Sequence, residues 1–287
     1  MKARAAPWLV GVFVAAALTS ALTAAVMAAL FVWSGVYDIS ATRQHTQAVH
    51  SLLEKTMHRS VKRHAAQLTV PPLGAEAVLA RGASCYVQKC ALCHGGPGFA
   101  PSEIGRSMQP LPGPLVDASA KWTPAELYWI TRNGIKMSGM PAWQHRMQDA
   151  DLWAVVAFMQ LLPRFTAADF RAATAAARAD TPCAADVPGS APWAPPDAER
   201  GRAATTQYAC NACHRIPGVT GSDVAVGPPL AGFAARRLIA GAVNNDTEHL
   251  VRWIRDPQSV DPETTMPNLQ VTDRDARDMA AYLMTLR

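Results

Sequence analysis

The sequence predicts an all-α protein: two tandem helical domains of one plan behind a single N-terminal membrane-spanning helix. Three observations predict it. A run of 26 residues from Trp8 to Trp33 carries no charge. The pattern Cys-x-x-Cys-His occurs twice, as CALCH at 90–94 and CNACH at 210–214, with similarly ordered segments around each copy. Neither copy shows the period-two alternation of a half-buried strand, whereas both carry capped segments with helical apolar spacing.

Bulk composition sets the frame. The chain has 287 residues, 49% apolar and 7% aromatic, which is globular and not disordered. Its formal charge is +5, unevenly placed. Residues 1–70 hold 7 basic and 2 acidic residues, 71–183 hold 10 and 8, and 184–287 hold 10 and 12. A nucleic-acid binder would carry its basic stripe on the folded domains, so nucleic acid is not an expected partner. Positive charge near an apolar span suits a membrane surface, making lipid an expected partner.

The first element is the span itself. Its 26 residues exceed the ~20 that cross a bilayer and the ~7–15 of a cleaved signal peptide's apolar region. Trp8 and Trp33 bracket it as interfacial aromatics do. Lys2 and Arg4 precede it and Arg43 is the first basic residue after it, which favours a cytoplasmic N-terminus weakly. Residues 1–33 are therefore expected to be tip and anchor, and 34–73 a helical stalk. Within the stalk, residues 45–68 place Val49, Leu52, Leu53, Met57, Val61 and Leu68 on one stripe, with Arg59, Lys62 and Arg63 nearby. Either a collar on anionic lipid or an ordinary helix packed on the next domain satisfies that pattern. Pro71 and Pro72 end it.

The first repeat is expected over 74–163. A helix from Ala75 to Lys89, with Gly82 and Tyr86 on one face, runs into Cys90. A Gly/Pro-rich loop follows His94 through Pro114. TPAELYWITRNG at 123–134 is a punctuated helix: Thr123 as N-cap, Pro124 in the first turn, Glu126 completing a capping box, Gly134 as stop. KMSGMPAW comes next, and DADLWAVVAFMQLL at 149–162 forms the last helix, closed by Pro163. Residues 164–196, rich in Ala and Pro, are expected to be a linker. The second repeat, 197–287, follows the same order: a helix from Asp197, Cys210 to His214, a loop with GPPLAG at 227–232, a helix from about Thr247 to Arg255, TTMPNL at 264–269, and a final helix with Thr272 and Asp275 as a capping box.

The pentapeptides carry the chemistry. Shuffling this composition yields roughly 0.003 such patterns, so two have a cause. Zinc would need further Cys or His at ligand spacing, and only Cys85 and Cys183 remain outside the motifs. A redox dithiol of the thioredoxin kind needs a βαβ context that is lacking. Covalent haem fits: Cys90 with Cys93, and Cys210 with Cys213, tether two haem c groups, and His94 and His214 ligate their irons. A buried macrocycle also supplies the apolar area that such loop-rich units lack. A methionine thioether is a soft second axial ligand that raises the potential, and each repeat offers a Met-Pro: Met140 and Met266. Met137 is the rival of Met140. Cys85 and Cys183 either pair, in an oxidising compartment, or stay as buried thiols. His45, His50, His58, His64, His145 and His249 are expected to be surface or packing residues.

On Cys90, Cys93, His94 and Met140, and again on Cys210, Cys213, His214 and Met266, the sequence resembles the class I c-type cytochromes, in particular the membrane-anchored dihaem kind of bacterial respiratory chains. Gly82, Tyr86, Trp153 and Tyr282 match the crossing of first and last helices in that family. The resemblance implies that a Pro carbonyl in the loop, Pro228 and more weakly Pro112, accepts a hydrogen bond from the proximal His. It implies haem attachment outside the cytoplasm, hence a single-pass inner-membrane protein with periplasmic haem domains. The function expected is one-electron transfer without catalysis of its own, between membrane or periplasmic redox proteins: a quinol-oxidising complex or dehydrogenase on one side, a terminal oxidase on the other. A fixed subunit of an oxidase or dehydrogenase complex is the alternative. A dihaem peroxidase is disfavoured because both repeats offer a Met.

Overall fold

The computed structural model describes residues 7–180, 183 and 195–287. Lys2, Arg4 and most of PGSAPWAPP at 188–196 lie outside them. The chain divides into two compact units, Met1–Glu54 and Lys55–Arg287.

In the first unit, helix α1 (Pro7–Ser34) contains a 25-residue stretch, Val10–Ser34, of mean hydropathy 2.1. It is long and apolar enough to cross a membrane, and every described side chain on it is exposed. A helix satisfies all its backbone groups internally, so such a segment tolerates lipid. Helix α2 (Gln47–Ala65) fills most of the expected stalk helix. Its stripe is split: Val49, Leu52 and Leu53 are exposed, whereas Val61 and Ala65 are buried. Its C-terminal part belongs to the second unit, where His58 stacks on Trp122, ring centroids 4.1 Å apart, and His64 on Trp129, 5.2 Å apart. That end packs as an ordinary helix.

The second unit is mostly helical. Helix α3 (Glu76–Cys85) widens into a π-helical turn, Tyr86–Cys90, and continues as α4 (Ala91–His94). Short helices α5 (Glu103–Ser107) and α6 (Ala118–Lys121) punctuate the loop that follows. Helix α7 (Pro124–Asn133) makes the expected capping box of Thr123 and Glu126, and Gly134 ends it at φ 69°. Helix α8 (Asp149–Met159) packs against α3. There a Cβ on Gly82 would stand 2.0 Å from the Ala154 carbonyl oxygen, so only glycine lets these backbones cross this closely. Tyr86, Leu152, Val155, Phe158 and Leu162 fill the core around the crossing.

The segment expected as a linker begins with helix α9 (Ala167–Asp180). Thr166 and Asp169 cap it reciprocally, and Phe170 packs edge-on to Tyr86 in the first core. Cys183 then pairs with Cys85 in a disulfide. Both the Thr-x-x-Asp cap and the Phe170/Ala173/Thr174 spacing were visible in the sequence beneath the alanine bias.

Helix α10 (Ala198–Gln207), capped by Asp197, crosses α12 (Asp273–Leu283) as α3 crosses α8. Gly201 is the crossing residue: a Cβ there would stand 1.9 Å from the Asp278 carbonyl oxygen. Asp278 is buried and held by Arg200 Nε at 2.8 Å. In the first repeat the buried Asp151 pairs likewise with Arg81. Helix α11 (Thr247–Arg255) completes the second core against α12. A two-residue antiparallel ribbon, β1 (Leu238–Ile239) with β2 (Val243–Asn244), was not expected from the sequence; it pairs Ile239 with Val243.

Candidate functional site

Each site begins where the first helix of its repeat runs out. In the first, the π-turn delivers Cys90, which is 7% exposed, and α4 carries Cys93 and His94. Single π-turns inside helices commonly mark functional positions. Tyr86 Oη donates to the Gly95 carbonyl at 2.9 Å, closing the end of the pentapeptide, and Gly95 takes the left-handed φ of 65° that stops it. Burial is the main cause that holds the Cys90 thiol up at about 12. Burial also lowers the pKa of His94, keeping its imidazole neutral. Its Nδ1 lies 2.7 Å from the carbonyl oxygen of Gly113, so Nδ1 carries the proton and donates. Nε2 is left with its lone pair, the tautomer a metal ligand needs. The acceptor is Gly113 and not Pro112, one residue later than the resemblance implies: Pro112 and Pro114 flank it, and the loop turns its glycine carbonyl inward.

The second pentapeptide is built differently. Helix α10 stops at Tyr208, Ala209 adopts a left-handed φ of 56°, and Cys210–Ala212 form one 3-10 turn. His214 N donates to Cys210 O at 2.9 Å. The GPPL loop is laced to this segment: Gly227 N donates to Cys213 O, and Leu230 N to Arg215 O, both at 2.8 Å. His214 Nδ1 lies 2.8 Å from Pro228 O, the expected acceptor. A Cβ on Gly227 would stand 2.3 Å from His214 Cε1, so the loop backbone lies flat on the imidazole. Burial raises the Cys210 thiol to about 11.

The two methionines sit in matching turns. Met140 N donates to Ser138 Oγ at 3.2 Å, and Met266 N to Thr264 Oγ1 at 3.3 Å. The Met140 carbonyl accepts from Ile135 N at 3.2 Å, and that of Met266 from Gln258 Nε2 at 2.7 Å. Both side chains are half-buried, whereas Met137 is 90% exposed and left-handed at φ 59°. Sequence reasoning missed Met108: its thioether fills the space a Cβ on Gly139 would take, beside Met140.

The donor chemistry fits a haem in each repeat. The four pentapeptide thiols are unpaired, while Cys85 and Cys183 bond to each other. Both histidines keep Nε2 for a metal, and each repeat sets a half-buried Met in a hydrogen-bonded turn ahead of a Pro. Zinc fits poorly. Among the described residues the one cluster of three close ligand atoms is Cys85, Asp151 and Cys183, which the disulfide occupies. The remaining histidines that the structure places are packing or surface groups: His58 and His64 stack on tryptophans, and His249 Nδ1 lies 2.6 Å from Asp246.

Both repeats match cytochrome families. Residues 77–159 match the family described as cytochrome c oxidase, cbb3-type, subunit III, and residues 198–287 match the cytochrome c family. The chain is 36% identical over 91 residues to cytochrome c oxidase subunit 2 of Alkalihalophilus pseudofirmus, covering 31% of this chain and 26% of that protein. It is 32% identical over 82 residues to cytochrome c oxidase subunit 2 of Bacillus sp. (strain PS3), covering 27% and 23%. The chain thus spans about a quarter of the length of these relatives.

Proposed function

Because this chain is a dihaem c-type cytochrome, with two cytochrome c domains behind an apolar N-terminal helix, we propose that it passes single electrons between respiratory-chain partners at the membrane. In this reading Cys90 and Cys93 hold one haem and Cys210 and Cys213 the other. His94 with Met140, and His214 with Met266, would be the iron ligands. Bound haem would supply a one-electron iron couple, and an imidazole with a thioether would favour a high potential. The protein's own groups do the rest. The Gly113 and Pro228 carbonyls hold the Nδ1 protons and aim the imidazoles, and the Ser138 and Thr264 hydroxyls hold the turns that present the thioethers.

The observation that carries this reading is the repetition of one arrangement in both halves: a helix-terminal Cys-x-x-Cys-His whose histidine is pinned through Nδ1. Residues 1–33 anchor the protein in a bacterial inner membrane with the N-terminus inside, 34–73 form a stalk, and 74–163 and 197–287 face the periplasm. The Cys85–Cys183 disulfide supports that side, since such bonds persist in oxidising compartments. Arg59, Lys62 and Lys121, with His58 and Glu126, line a cavity of about 410 Å3 beside Trp122, whose net basic lining suits anionic lipid.

A second reading has a specific observation behind it. Similarity to oxidase subunits in both comparisons favours a fixed subunit of an oxidase over a free-standing carrier. Extraction in mild detergent separates the two: co-purification with oxidase subunits at fixed stoichiometry supports the second, and a lone haem protein supports the first. Ligation is tested by Met140→Ala and Met266→Ala. Each is expected to keep its haem attached but abolish one near-infrared sulfur-to-iron band. Retention of both bands in either variant rejects that ligand.

A further inference from the structure

The two repeats meet at a joint made from the segments that carry their site residues. On the first side it is the turn Trp143–His145 with Arg146, which lies one residue beyond Met140 and Pro141 and is flanked by the buried Ala142 and Met147. On the second side it is Gln207 and Tyr208, the end of α10, two residues before Cys210. Arg146 Nη2 donates to the Gln207 carbonyl at 2.7 Å. Its guanidinium carbon lies 5.3 Å from the centre of the Tyr208 ring.

Each contact has a physical reason. The last carbonyls of a helix lack partners within it and carry its negative end, so a guanidinium is a favourable cap there. Arg146 is such a cap, supplied to α10 by the other domain. A cation over an aromatic face gains further attraction. Tyr208 is itself fixed: it is 6% exposed, and its hydroxyl donates to Asp275 Oδ2 at 2.8 Å. That proton is then used, so the His145 carbonyl oxygen 3.4 Å away is a packing neighbour. Asp275 in turn takes the Thr272 hydroxyl at 2.9 Å, tying the Tyr208 ring to the start of α12. The left-handed Ala209 completes the turn into Cys210. A non-glycine residue held in that region is strained, and such strain persists only where surrounding contacts dictate it.

We propose that Arg146 and Tyr208 are positioning residues for electron transfer within the chain: they clamp the Met140 loop of the first domain onto the Cys210 turn of the second, and electrons cross between domains at that joint. This rests on the carrier reading above. One electron leaves one domain and enters the other, and no bond forms or breaks. The clamp holds the Met140 loop and the Cys210 turn together, so transfer does not wait on the two domains meeting.

The test uses the full haem-loaded chain in detergent, with Arg146→Ala and Tyr208→Phe. Three quantities are read: the rate at which one photo-injected electron equilibrates between the haems, the hydrogen exchange of residues 143–147 and 207–210, and the two reduction potentials with the axial-ligand bands. Without the clamp the two domains sample longer separations, over which electron tunnelling falls off steeply, so Arg146→Ala is expected to slow internal transfer several-fold. It should also release exchange protection on both segments together, with both potentials and both bands unchanged. Tyr208→Phe keeps the ring under the guanidinium and is expected to slow transfer less. Unchanged rate and protection in Arg146→Ala, with two intact haems, overturn the clamp and leave the carrier reading standing. A wild-type chain with fewer than two haems overturns the carrier reading itself, and the clamp with it.

Discussion

Removing the Cys85–Cys183 bond should weaken the first domain far more than any surface change. The two residues are 98 apart in sequence, with Cα atoms 5.0 Å apart. In the chain-entropy treatment, a loop of that length restricts the unfolded state by ~4.7 kcal/mol at 25 °C. Local effects modify the figure. Both sulfurs are buried, at 0% and 5% exposure, so truncation to alanine also leaves small voids. Asp151 lies beside them, with one carboxylate oxygen held by Arg81 and the other, Oδ2, without a hydrogen-bond partner. Its oxygen and the two sulfurs fall within 4.8 Å of one another. A serine there offers that oxygen a donor, which an alanine cannot. Cys85→Ala/Cys183→Ala should therefore lose about 3–5 kcal/mol, and Cys85→Ser/Cys183→Ser about 1 kcal/mol less. Guanidinium-dependent hydrogen exchange at Tyr86 and Phe158 reads the first core separately from the second. A loss below about 1 kcal/mol in the alanine pair would refute the reasoning. So would two titratable thiols at these positions in unreduced wild type.

Other substitutions probe the helix crossings and the turn into the second pentapeptide. Gly82→Ala and Gly201→Ala drive a methyl into a backbone carbonyl, at 2.0 Å and 1.9 Å, and each should destabilise its domain by at least about 3 kcal/mol in chemical unfolding. Gly74→Ala, where a Cβ meets nothing within 4 Å, is the control and should stay within about 0.5 kcal/mol. Ala209→Gly relaxes a left-handed residue at φ 56° and should stabilise the second domain by about 0.5–1 kcal/mol, read as a rise in its unfolding midpoint.

What the chain wrote locally, the structure repeats locally. The apolar run became α1, Thr123 and Glu126 closed their capping box, and Gly134 stopped α7. The pentapeptides and the two Met-Pro turns were legible for the same reason: their signal lies within about one helical turn of sequence, where steric preference and hydrogen-bond reach act. The Thr272 cap shows where that reach ends. Its hydroxyl accepts from Asp275 N and donates to the Asp275 carboxylate, and that carboxylate also takes the Tyr208 hydroxyl from 67 residues away.

Packing decided the rest. Gly82 stood out in the sequence and its counterpart Gly201 did not, because a glycine's role at a crossing depends on which backbone lies opposite. Composition made 164–196 a linker, until Phe170 found the Tyr86 and Phe158 rings and drew α9 into the first core. The loop chose Gly113 over Pro112 to meet His94, and Arg146 reached a carbonyl 61 residues away. Local chemistry selects the elements and places the Cys, His and Met side chains on them. Pairings across tens of residues depend on which faces meet once apolar surface is buried, and no short stretch of chain encodes that meeting by itself.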